Sequence, residues 1–233
     1  MGIPEPRKAG RATSTALTLF LFNIKSLSES RWCQFYIMKK ILLILIGIAL
    51  GFSVDAEQVV GTYYCSYFEK DFEIQASQKN NKLETVYIEI DAKSSKEAFV
   101  SIDGKDLELF KTSLGLVRDK YTEWVKIAKE NSVTKMYKDF GIKFPKVDIA
   151  WLGSKYWFSF NKTIDISFVI LDSGNMVAMW CPKVVSSANR YIDETIYFVF
   201  EKEEDFDSLI NQLDYNSILD KLLNTKKNED LFK

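Results

Sequence analysis

One hydrophobic stripe with the period of an α-helix divides this sequence into two groups of alternating segments. The stripe lies within 106–131 and consists of Leu107, Phe110, Leu114, Val117, Tyr121, Trp124 and Ala128. Steps of three and four residues place all these side chains on one helix face. A single stripe of this length packs on its own sheet more often than on a coiled-coil partner. The sequence therefore predicts one long helix that covers a sheet.

The segments on either side are predicted strands: most alternate with period two, 59–68 is rich in β-branched and aromatic residues, and 176–181 is apolar on both faces. They are 59–68, 82–91 and 98–102 before the helix, and 147–151, 156–160, 164–170, 176–181 and 194–200 after it. Short polar turns join the first four segments after the helix, which favours an antiparallel meander. The tail 203–223 has helical stripes. The sequence predicts an α+β fold, with a mostly antiparallel sheet of about eight strands, one long central helix and C-terminal helices packed on it.

Residues 38–56 (MKKILLILIGIALGFSVDA) have the layout of a secretory signal peptide. Two lysines precede an apolar run of 12 residues, 41–52, and Ala56 occupies the position before the cleavage site. The alternative, a membrane anchor, needs about 20 apolar residues. We expect 1–37 to be an upstream extension without native structure, 38–56 to be removed and 57–233 to form a single domain. This predicts a bacterial periplasmic or extracellular protein without a stable membrane anchor after processing.

The chain contains no histidine. That excludes Ser-His-Asp and Cys-His catalysis and the usual zinc and non-haem iron sites. The first 56 residues hold seven basic and three acidic side chains of the 31 and 32 in the chain, so 57–233 carries a net charge of −5. Because no basic stripe is present, nucleic acid is not an expected partner. We expect neither a metal nor a cofactor.

Two cysteines, Cys65 and Cys181, remain after the signal peptide. In an oxidising compartment an even pair is a disulfide candidate. The alternative is two buried free thiols, since cysteine is also a small core residue. The sequence leaves both open, because it does not show that the two residues meet.

Counting residues through the turns predicts a row of three side chains on one face of the sheet. If Phe160 faces Ile164, then Trp157, Ser167 and Trp180 lie side by side on three strands, with the indoles about 10 Å apart. On an open face this row would be a stacking platform for a flat ligand such as a sugar ring. On a covered face it would be ordinary packing, which is the commoner role of large aromatics.

These features predict a secreted, non-catalytic binding or interaction module whose ligand is a glycan, a peptide or a protein. One alternative is a hydrolase that uses paired carboxylates instead of histidine. Another is a carrier of a small apolar molecule inside a curled aromatic sheet. Exposed tryptophans would favour glycan or protein binding, and an enclosed cavity would favour the carrier. Two acids with raised pKa in one cleft would favour the enzyme.

Overall fold

Eleven strands and three α-helices form the part of the chain that the computed structural model describes, residues 57–230. The strands are β1 Gln58–Cys65, β2 Lys70–Lys79, β3 Lys82–Ala92, β4 Ala98–Asp103, β5 Met136–Asp139, β6 Val147–Leu152, β7 Tyr156–Lys162, β8 Ser167–Ile170, β9 Met176–Trp180, β10 Lys183–Val185 and β11 Asp193–Phe200. The helices are α1 Leu107–Glu130, α2 Glu203–Ile210 and α3 Tyr215–Asp230. The expected extension 1–37 and signal peptide 38–56 lie outside the described residues.

The α+β class is confirmed, with every strand pairing antiparallel. The sheet has the order β5-β8-β9-β11-β3-β4-β6-β7, while β1 pairs with β2, β2 also with β3, and β10 with β11. Three strands were missing from the sequence prediction. Of these, β2 does alternate through Phe72, Ile74 and Ala76, β5 is exposed at all four residues, and β10 is only three residues long. An exposed strand has no buried face to produce a period-two signal, and a strand of three residues is too short to show one.

The predicted long helix is confirmed within one residue at each end. In α1 the stripe residues Leu107, Phe110, Leu114 and Val117 are fully buried. They pack against the sheet face that we call the inner face, together with the core residues of β3, β4 and β6. A short turn leads into the helix at Gly104, where a Cβ atom would lie 2.3 Å from the backbone oxygen of a β3 residue. Only glycine permits that close approach.

The C-terminal helices also belong to the core, and α2 is tied to α1 by polar contacts. Arg118 Nη1 of α1 lies 2.7 Å from Asp207 Oδ1 of α2. The hydroxyl of Tyr121 donates to the carbonyl oxygens of Met176 and Glu201, one in β9 and one just before α2. The buried apolar residues of this C-terminal region are Phe206, Leu209, Leu213, Ile218 and Leu222. None of the helices within 57–230 is both long and apolar enough to cross a membrane.

The predicted four-strand meander is wrong in its middle. Hairpins form between β6 and β7 and between β8 and β9, but β7 does not pair with β8. Instead β8 pairs with β5, while the free edge of β7 meets the chain after β10 through a hydrogen bond from Ser187 N to Phe158 O, 2.8 Å. The prediction assumed that strands consecutive in sequence are neighbours in the sheet. The position beside β8 that was expected for β7 is occupied by β5, which was not predicted.

Candidate functional site

The predicted row of Trp157, Ser167 and Trp180 is not formed. Ser167 lies opposite Met179, and β7, which carries Trp157, pairs with β6. Ser167 and Trp180 are buried, and Trp157 is half-buried against the core. The register was wrong for two reasons: β7 and β8 were treated as a hairpin, and the turn between β8 and β9 is one residue longer than assumed, so that Ile170 lies opposite Met176. A ligand-binding role for these three residues stays a prediction, without the exposed platform that motivated it.

The exposed aromatic side chains of β7 are on the other face of that strand. Trp157 lies opposite Trp151 of β6, which is buried, so both point to the inner face. The alternating residues Tyr156, Phe158 and Phe160 therefore point to the outer face, with exposed fractions of 43%, 46% and 50%. We call these three residues the aromatic strip. The sequence held a signal for this orientation. Trp151 points inward, and the turn after β6 places Trp157 directly opposite it, so Trp157 points inward as well.

The aromatic strip borders a shallow depression on the outer face. The rings of Phe158 and Phe160 are parallel within 5°, with centroids 6.1 Å apart. Phe158 continues a cross-strand row with Ala150 of β6 and Phe99 of β4. A cavity of about 100 Å³ lies here, and its wall includes Tyr87 of β3 in addition to members of this row. The outer face thus has an apolar floor beside exposed rings.

Polar groups surround this apolar floor. The hydroxyl of Tyr156 donates to Glu97 Oε2 at 2.6 Å, and Gln75 Nε2 donates to Glu73 Oε2 at 3.0 Å. Partial burial, together with the hydrogen bond and negative charge of Glu97, raises the pKa of Tyr156 from its usual 10 to about 12. Burial also raises the pKa of Tyr87. Both phenols consequently stay protonated and able to donate hydrogen bonds at neutral pH.

The backbone of β7 is held from its outer edge, which fixes the aromatic strip in place. Besides the bond from Ser187 N to Phe158 O, the hydroxyl of Ser159 donates to Val185 O at 2.7 Å. The N–H of Phe160 donates to Ser187 Oγ at 3.2 Å. Side chains on a strand that is bonded at both edges present a preformed surface, because little backbone ordering remains for a ligand to impose.

The candidate disulfide is absent, and both cysteines are free thiols. Cys65 is buried, and its Sγ donates to Val199 O at 3.2 Å. Cys181 is exposed just after β9. Burial raises the pKa of both thiols, with the larger burial at Cys65. A raised thiol pKa lowers the thiolate fraction, so neither environment activates a nucleophile.

The two buried carboxylates cap backbone groups rather than forming a catalytic pair. Asp205 accepts hydrogen bonds from the N–H and hydroxyl of Ser66 and from the N–H groups of Glu201 and Lys202. Glu194 accepts from Ser94 N, Ser95 Oγ and Thr195 N. Each carboxylate therefore stabilises a chain reversal, one at the start of α2 and one between β3 and β4.

A third acidic side chain, Asp91, lies near Lys70 on the outer face. Burial raises the pKa of Asp91, while the positive charge of Lys70 acts in the opposite direction. Lys70 Nζ lies 3.2 Å from Glu89 Oε1, and Glu89 Oε2 accepts from the N–H of Glu73 at 2.9 Å. Within residues 57–230 no three side chains of the metal-ligating types gather into a cluster.

Comparisons with known proteins add no relative on which a site could be mapped. No family model, curated protein or solved structure matches this chain. The candidate site therefore depends on geometry alone: an exposed aromatic strip beside an apolar floor with hydrogen-bonding groups at its border.

Proposed function

We propose that this domain is a non-catalytic binding module and that the aromatic strip with the adjacent depression is its ligand surface. The observation that carries the proposal is the pair of parallel, half-exposed rings of Phe158 and Phe160 on a strand whose backbone is bonded at both edges. Exposed apolar surface is costly in water, and contiguous patches with polar borders are typical of interaction sites.

Among the expected ligands, a glycan chain fits this surface best. The flat C–H faces of sugar rings stack on aromatic rings, and the two parallel exposed rings of Phe158 and Phe160 offer successive stacking positions along one strand. Hydroxyl groups at the sugar edges need partners, which Glu97, Gln75 and Tyr87 supply around the floor. The predicted export of the chain is consistent with a ligand found outside the cell.

The two alternatives have less support. Small-molecule sites commonly enclose about 300–1,000 Å³, whereas the depression beside Phe158 measures about 100 Å³, too small to surround a carried ligand. A carboxylate hydrolase needs an acid and a second carboxylate facing one another across substrate. The carboxyl with a raised pKa, Asp91, instead neighbours Lys70 and the ion-paired Glu89.

Titration calorimetry against soluble oligosaccharides, with pull-down on insoluble polysaccharides, tests the proposal. Oligomers of glucose, xylose, mannose and N-acetylglucosamine form the first panel. We expect Phe158→Ala to weaken binding of the best ligand about tenfold or more, because stacked aromatics contribute on the order of 1 kcal/mol beyond their buried area. Leu116→Ala, which removes a similarly exposed apolar side chain from α1, is the matched control. Equal loss in both variants would contradict the proposal.

A further inference from the structure

Within residues 57–230 four strands, β1, β5, β7 and β10, have a partner strand on one side only, and three of these edges contact other parts of the chain. The edges of β7 and β10 meet where Ser159 Oγ donates to Val185 O. On β1, Tyr64 N donates to Ser208 Oγ at 3.0 Å, and Val60 O accepts from Lys221 Nζ at 2.7 Å. On β7, the segment around Ser187 takes up the edge. An uncovered edge strand presents unpaired donors and acceptors to any other strand.

The fourth edge, β5, is open as far as the described residues are concerned. Phe140 N donates to Ile166 O at 3.1 Å, and this contact continues the register in which Lys138 lies opposite Phe168. Backbone groups of an antiparallel strand point alternately toward its partner and away from it. The N–H and C=O groups of Lys138 therefore face β8, and those of Tyr137 and its second neighbours face away. Among residues 57–230, no strand other than β8 pairs with β5.

An apolar groove runs beside this open edge on the inner face. It encloses about 140 Å³ between the end of α1 and β5, with Trp124, Ile127 and Met136 in its wall. Ile127 is 46% exposed and Tyr137, on the opposite face of β5, is 77% exposed. Lys138 Nζ lies 4.6 Å from the centroid of the Trp124 ring, so its aliphatic stem lies along the groove. The edge is thus flanked by exposed apolar groups on both faces.

We infer that β5 pairs with β5 of a second copy of this chain, antiparallel about a two-fold axis at Tyr137. In that register each Tyr137 exchanges two hydrogen bonds with its counterpart, and Lys135 of each copy lies opposite Asp139 of the other. Asp139 already accepts from Gly141 N through Oδ1, so Oδ2 remains for the lysine. Met136 and Lys138 alternate with these residues on the inner face, so Met136 of each copy lies opposite Lys138 of the other and the two grooves become neighbours.

Charge selects this register among those the backbone allows. In an antiparallel pair the residue on the axis lies either in a hydrogen-bonded or in a non-hydrogen-bonded pair, so any residue from 135 to 139 can be the centre. An axis at Lys135 or at Lys138 sets two ammonium groups against each other, and an axis at Asp139 sets two carboxylates. An axis at Met136 places no charged residue opposite another. Like charges directly opposite one another destabilise a strand pair, whereas opposite charges stabilise it. Among these centres, only the axis at Tyr137 places opposite charges directly opposite one another.

Light scattering coupled to size exclusion, followed by sedimentation equilibrium, tests the inference on the full chain as purified. We expect a dimer that dissociates on dilution. Tyr137→Pro removes an N–H that is not used by β8, and edge strands tolerate proline. We expect this variant to keep the wild-type melting temperature and to raise the dissociation constant about a hundredfold or more. Tyr137→Ala, which keeps the N–H, should raise it no more than several-fold.

A charge exchange tests the register itself and does not depend on the proline variant folding. Lys135→Asp should weaken the dimer by placing two carboxylates opposite one another, and the double variant Lys135→Asp with Asp139→Lys should recover most of the loss. A monomeric wild type overturns the inference, as does a dimer that Tyr137→Pro leaves intact. Failure of the charge exchange to restore association overturns the proposed register, because no other register pairs these two residues.

Discussion

The two ends of the sheet expose different groups: the β7 end exposes aromatic side chains, and the β5 end exposes backbone donors and acceptors. At β7 the edge is hydrogen-bonded to the segment after β10, while Tyr156, Phe158 and Phe160 stand exposed on the outer face. At β5 the edge is open and all four residues of the strand are exposed. The β7 end can therefore recognise a partner by its side chains, and the β5 end by its backbone.

That difference has consequences for which partners each end accepts. Backbone pairing requires another extended strand, so the β5 end is selective for peptide geometry, and only its side chains choose among strands. Aromatic faces impose no such requirement and accept any ligand with flat apolar surfaces and hydrogen-bonding borders. If both proposals hold, a dimer formed at β5 carries two aromatic strips, and a polymeric ligand that reaches both strips gains avidity from their linkage.

The largest expected effect comes from α1, on which both ends depend, because this helix packs under the sheet and also forms a wall of the β5 groove. Leu114→Asp places an unpaired charge where the side chain is fully buried. We expect it to lower the free energy of unfolding by more than about 4 kcal/mol. Chemical denaturation measures the loss. Leu116→Asp on the exposed face of the same helix should change stability by less than about 0.5 kcal/mol. Similar losses in the two variants would show that the helix orientation is wrong.

The next effect concerns a covered edge. Asp205→Ala leaves the donors of Ser66, Glu201 and Lys202 without their shared acceptor and so loosens the cover of the β1 edge. We expect a loss of about 3 kcal/mol, the order reached when buried donors are left unsatisfied. Glu204→Ala, one residue earlier and exposed, is the control and should be close to neutral. Hydrogen exchange should increase along β1 in the first variant only, and unchanged protection there would contradict this role.

A smaller effect separates the two faces of β7. Trp157→Ala should lower the free energy of unfolding by about 2 kcal/mol, roughly half the cost for a fully buried large aromatic, because the side chain is half-buried. Phe158→Ala should cost less than about 0.5 kcal/mol, since its ring is on the exposed face. Thermal and denaturant unfolding measure the loss in free energy of unfolding for both variants. The reverse order would mean that the tryptophan face is outward, as the sequence had suggested.

Periodicity was sufficient for the elements that bury one face, and insufficient for the sheet's connections. The stripe from Leu107 to Ala128 located α1 because every member contacts one core. The strand β5 left no such trace, since all its residues are exposed, and without it the partner of β8 was misassigned. The expected face of β7 was wrong for a separate reason: Phe160 was assumed to point inward, and a one-residue error exchanges inward and outward side chains. The correct face was recoverable from Trp151, whose inward position fixes that of Trp157 across the intervening turn.

The smallest expected effect is a proton titration at the aromatic strip. The pKa of Tyr156 is raised to about 12, first by burial and then by its hydrogen bond to Glu97. Because the folded value lies above the unfolded value of 10.0, the associated stability is fully present below pH 10 and is lost as the pH rises through 12. Glu97→Gln removes the negative charge but leaves the burial, so the pKa should fall only part of the way toward 10. Ultraviolet titration of the phenolate, with Tyr156→Phe as the assignment control, measures the shift. A pKa unchanged by Glu97→Gln would mean that the carboxylate does not hold this hydroxyl, and the polar border of the candidate site would lose one of its members.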